Sequence, residues 1–159
     1  MKPDIIMAVH TILAPKVDAM VFVVGYISAL IIFGAVDAVW LSMMGPLIYK
    51  PVLGDILLPN VRIGPAIAFY AMYPVGILVF AVLPGLRSGS LGTAFVLGAL
   101  LGVIAYATYD LTNFATLRNW TLQIVILDVV YGAIATGVAA VAACAIIRAT
   151  GLGPGSGTG

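Results

Sequence analysis

Long apolar runs alternate with short polar interruptions along this chain. Four runs are long enough to cross a bilayer: about Met20 to Met44, Gly64 to Leu83, Leu91 to Leu111, and Leu122 to Ile147. A span needs roughly 20 residues at about 1.5 Å rise each. Helices satisfy their own backbone in lipid, whereas a barrel would need alternating strands of about 10 residues, a pattern this chain lacks.

The interruptions carry turn chemistry. The first holds Gly45-Pro46, Lys50-Pro51, Gly54-Asp55 and Pro59-Asn60; the second holds Pro84-Gly85 and Arg87 to Ser90; the third runs from Asn113 to Asn119. Short links make successive helices antiparallel. The expectation is an all-α polytopic membrane protein, an antiparallel four-transmembrane-helix bundle over residues 19–149. Residues 1–18 read as an interfacial segment: Asp4 to Ala14 is apolar enough for a helix, ends at Pro15-Lys16 and is too short to span. Lys2 and the run Ile5 to Leu13 fit a signal peptide in part, but no clean cleavage site follows. Residues 150–159 are Gly-rich and read as a flexible tail.

Composition agrees with the pattern. Apolar residues make up 63% and charged residues 8%, against about 25% charged in a soluble domain. A net charge of +1 leaves no basic footprint for nucleic acid, and a single cysteine, Cys144, cannot form an internal disulfide. Lys2, Lys16, Arg87 and Arg148 fall on the side of the termini and Lys50, Arg62 and Arg118 on the other. This slight bias places both termini in the cytoplasm.

The polar residues concentrate in one half of the membrane. Asp37 and Trp40 lie late in the first helix, Arg62 just before the second, and Tyr109, Asp110 and Asn113 late in the third. Arg118 and Asn119 lie in the third link, and Asp128 about two turns into the fourth helix. An ionised Asp in hydrocarbon costs a few kcal/mol, so these side chains face the bundle interior, a watery cavity or an opposite charge. Three readings stay open: a structural ion-pair network of three acids and two arginines, a ligand or catalytic site, and a proton or ion path. Trp40, Trp120 and the tyrosines also fit an interfacial aromatic belt. A nucleophilic triad lacks a base, since His10 lies on the other side, and zinc lacks His and Cys. Carboxylate and amide oxygens permit Mg²⁺ or Ca²⁺ without indicating it. Gly98 and Gly102 form a small-xxx-small pair for close helix contact, and Pro74 removes one backbone bond inside the second helix.

The phrase Tyr106-Ala-Thr-Tyr-Asp110-Leu-Thr-Asn113-Phe-Ala-Thr-Leu-Arg118-Asn-Trp120, with Asp37-Ala-Val-Trp40-Leu and Tyr70-Ala-Met-Tyr-Pro74, resembles the DUF2177 family of bacterial four-helix membrane proteins over about Phe22 to Ala149. The family often has Pro after the Trp of the third link, where this chain has Thr121, a residue able to cap the fourth helix. The resemblance implies a bacterial inner membrane, with no settled biochemistry. Its genes often lie near enzymes resembling cyclopropane fatty acid synthases, which points towards membrane lipid. The leading expectation is a lipid-handling protein whose polar cluster opens to the outer leaflet, with Asp37, Trp40, Arg62, Tyr109, Asp110, Asn113, Arg118 and Asp128 as candidate ligands. The rivals are an accessory subunit or assembly factor, partnered by other membrane proteins or a second copy, and a transporter of protons, ions or small solutes.

Overall fold

The structure, a computed structural model, describes residues 19–152, all helical or in short turns. The expected interfacial segment and most of the Gly-rich tail lie outside the described residues. Four helices are long and apolar enough to cross a membrane: α1 (Ala19–Leu53), α2 (Ile63–Arg87), α3 (Leu91–Thr116) and α4 (Leu122–Ala149). The α1–α2 and α3–α4 links share one end of the bundle, called distal here. The α2–α3 link and the C-terminus of α4 share the other.

α1 and α2 run further than their prolines suggest. α1 continues through Gly45-Pro46 as a five-residue π-turn, Gly45–Tyr49, and then one α-turn, Lys50–Leu53. α2 does the same through the π-turn Leu78–Val82 and the α-turn Leu83–Arg87. In each case a proline, Pro51 or Pro84, stands two residues after the wide turn. Proline has no N–H, so the ladder loses one bond there anyway, and slipping by one residue ahead of it keeps the helix going. Polar ends are capped locally. Ser90 Oγ accepts from Thr93 N at 3.2 Å and Thr121 Oγ1 from Ile124 N at 3.3 Å, so Thr121 does cap α4. α3 extends to Thr116, and along its last turns Thr108, Thr112 and Thr116 return their hydroxyls to carbonyls four residues back, at 2.6 to 2.8 Å, so these hydroxyls are satisfied without leaving the helix. At the end of α4, Gly151 takes φ +72° and its N–H bonds the Arg148 carbonyl, while Leu152 packs on the core.

Lipid offers helices no hydrophobic reason to associate, so close packing has to hold them. α4 is the most enclosed helix and α3 the least, and these two meet through interleaved glycines. A Cβ on Gly102 would lie 2.1 Å from the Gly132 carbonyl oxygen, and one on Gly98 would lie 2.9 Å from the Thr136 oxygen. The aromatic rings of Tyr106 and Phe95 cover Gly132 and Gly137 in turn. This contact fixes the rotation of α3 and so determines which of its polar side chains face inward. At the other end, Arg148 donates to the Gly85 carbonyl at 3.3 Å and ties α4 to α2.

Candidate functional site

Asp37, Asp110 and Asp128 are all buried, and Asp110 is wholly so. Asp110 and Asp128 stand six residues from the distal ends of α3 and α4, about 9 Å along each axis. Asp37 lies deeper, at the level of Tyr131, which is nine residues into α4.

Each carboxylate is held by aromatic donors. The Tyr131 hydroxyl donates to Asp37 Oδ1 at 3.0 Å, and the Tyr70 hydroxyl donates to Asp37 Oδ2. The Tyr49 hydroxyl donates to Asp128 Oδ1 and accepts from Trp40 Nε1 at 3.0 Å. Trp40 in turn stacks on Tyr131, with centroids 4.1 Å apart and planes 9° apart. Trp120 Nε1 donates to Asp110 Oδ1 at 3.2 Å. Asp110 Oδ2 is buried and has no hydrogen-bond partner among the described residues. Asp128 sits between the other two acids, within Coulombic reach of both. Below this layer the Tyr73 hydroxyl and Thr136 Oγ1 pair at 2.9 Å.

Among the described residues no acid pairs with a basic side chain, so the expected ion-pair network does not form there. Arg62 is the residue before α2 and Arg118 sits in the α3–α4 turn; both are exposed. They ring the distal mouth while short carboxyls sit one to two turns below. Nor do three groups of the Asp, Glu, His and Cys type come together to hold a metal among the described residues.

The candidate residues therefore divide. Asp37, Asp110 and Asp128 form the buried layer, with Trp40 half-buried beside them. Arg62, Arg118 and Asn113 lie on its rim. Tyr109 departs from the shared inward face: it is 57% exposed, because it stands at the edge of the arc that carries Tyr106, Asp110 and Asn113, and its ring meets Trp120 edge-on at 5.4 Å. Trp120 is buried, with its indole N–H turned to Asp110. Tyr49, Tyr70 and Tyr131 also hold the acids and were not among the candidate ligands, although the spacing of Asp128 and Tyr131 sets both on one inward face of α4. Tyr131 follows Asp128 by three residues and Tyr70 sits four before Pro74, which put both on inward faces. Tyr49 lay in a segment read as loop, so no periodicity pointed to it.

A family model described as a predicted membrane protein, DUF2177, matches residues 22–145. The chain belongs to that family. No curated protein and no solved structure matches it.

In this DUF2177 protein the distal part of α1 works as a strap over the acids. Leu53 packs with Trp120, Ile124 and Val125, and Ile48, Tyr49 and Val52 pack beside them. Beneath the strap a crevice lined by Trp40, Tyr49, Ile124 and Asp128 is too tight for a water molecule. Tyr49→Phe strands both the Trp40 N–H and one side of Asp128 while keeping the ring. The expected result is a change in the emission of Trp40 and a higher acrylamide quenching rate, with helix content unchanged. Quenching identical to the parent would show that the Tyr49 hydroxyl does not hold the strap.

Proposed function

We propose that the protein binds a membrane phospholipid by its headgroup at the distal mouth of the bundle. The observation that carries this reading is the division of charge: among the described residues, exposed Arg62 and Arg118 make no ion pair and stand above a buried carboxyl layer that no basic side chain reaches. A guanidinium fork suits a lipid phosphate held at headgroup depth. The tails then lie against the exposed apolar side chains of the distal half of the bundle, among them Leu111, Phe114 and Leu122. Such an arrangement serves presentation of a lipid to a modifying enzyme, or retention of one, and requires no chemistry by the chain itself.

The test is native mass spectrometry after gentle extraction. A discrete lipid mass is expected on the parent and a severalfold lower occupancy on Arg118→Ala, an exposed turn position that should fold normally. A stoichiometric protein partner with no bound lipid would replace this reading with that of an accessory subunit.

A further inference from the structure

Among the described residues the acid layer has one buried acceptor with no donor to fill it. Asp110 Oδ2 is wholly buried without a partner, its sister oxygen already takes the Trp120 N–H, and Asp128 bears on it through space. An isolated charge in this setting is costly unless something of opposite sign arrives. The chain brings no such group among its described residues, and the acids are too scattered to share a metal. The walls are aromatic instead: Tyr49, Trp40, Trp120 and Tyr131 stand around the three carboxyls. These rings turn O–H and N–H edges to the carboxylates, so a ligand that fills the orphaned oxygen has to be a further donor, and an ammonium is a positively charged one. A lipid phosphate would be repelled from this layer and would stay with the arginines.

We infer that the headgroup carries a primary ammonium, which enters between Asp110 and Asp128 at the place the Tyr49 hydroxyl now closes. This rests on the lipid-binding reading above. A primary ammonium brings three N–H donors, enough for Asp110 Oδ2 and for the Asp128 oxygen that Tyr49 gives up. A quaternary ammonium brings charge but no N–H donor, and a glycerol headgroup brings hydroxyl donors but no positive charge. Arg118 and Trp120 belong to the same short turn, and Trp120 holds Asp110. A phosphate drawn in by Arg118 therefore lies beside the turn whose Trp120 covers Asp110, and the ethanolamine arm descends from there once the strap has opened. Entry requires the strap to yield at its two irregular points, the π-turn Gly45–Tyr49 and Gly54, which sits at φ +48°.

The experiment loads the full-length protein in micelles with three phospholipids of identical tails bearing ethanolamine, choline or glycerol headgroups, and reads occupancy by native mass spectrometry. Ethanolamine lipid is expected to win by about tenfold, the effect of one charge-assisted hydrogen bond. Asp110→Asn should erase that preference while glycerol-lipid binding persists, with folding checked by circular dichroism; Asp128→Asn should reduce it as well. Equal occupancy of the three lipids, indifferent to Asp110→Asn, overturns the ammonium and leaves the lipid reading standing. No bound lipid of any kind overturns both. Free ethanolamine that competes as strongly as its lipid overturns the lipid as the source of the ammonium.

Discussion

Gly102→Ala is expected to cost the protein about 3 kcal/mol or more of stability, the upper end for overpacking. The new methyl carbon would meet the Gly132 carbonyl oxygen at 2.1 Å, its carbon at 2.6 Å and the Ala133 nitrogen at 2.9 Å. All three are backbone atoms, so no side-chain rotation can relieve the clash. α3 and α4 have to move apart, and the contacts of Gly98 with Ala140 and of the Tyr106 ring with Gly132 loosen with them. The effect should propagate, because this seam sets the rotation that buries Asp110. Reversible denaturant unfolding in mixed micelles measures it, with Gly34→Ala as the control. A Cβ on Gly34 meets nothing within 4 Å, so that variant should stay within about 0.5 kcal/mol of the parent. Equal stability of the two variants would mean that the α3–α4 seam is not the tight contact the geometry describes.

The seam was legible in the sequence because spacing alone creates it: Gly98 and Gly102 are one turn apart, and no other reading of such a pair in lipid competes with close packing. The four spans and the inward acids were legible for a similar reason, since charge is expensive in hydrocarbon wherever it falls. The partners of those acids were not. Arg62 and Arg118 have the right sign, and a rule of opposite charges assigns them to Asp37, Asp110 and Asp128. The acids instead lie below the level of the arginines, and tyrosine and tryptophan fill the gap because an O–H or N–H on a large apolar ring can reach a buried oxygen at little desolvation cost. The prolines misled in a more instructive way. Gly45-Pro46 and Lys50-Pro51 read as loop, yet the wide turn Gly45–Tyr49 carries the helix past them. That turn places Tyr49 over Asp128. A local irregularity thus delivers the side chain that closes the site, and no periodic pattern could have signalled it.

Two acids with nearly the same burial should respond oppositely to substitution, and that difference separates scaffold from site. Asp37 accepts from both Tyr70 and Tyr131. Asp37→Ala leaves two hydroxyls without their acceptor, at about 1–3 kcal/mol for each donor that stays buried. Tyr131 is buried, whereas Tyr70 is half-buried and can turn outward, so the expected loss is about 2–4 kcal/mol in all. Asp110 is different. One oxygen takes the Trp120 N–H and the other has no partner among the described residues. Asp110→Asn keeps an acceptor for Trp120, removes an uncompensated charge and adds an amide N–H₂ of the same size. Its stability should fall within about 1 kcal/mol of the parent, or above it, since removing a buried charge that nothing balances is often neutral or favourable. The same micelle unfolding assay reads both variants, and Trp120 emission reports whether its hydrogen bond survives. If Asp110→Asn is as damaging as Asp37→Ala, Asp110 holds the fold together through contacts of its own and the orphaned oxygen loses its meaning. If the fold tolerates it while lipid occupancy drops, the protein keeps a costly carboxylate for the sake of something it binds.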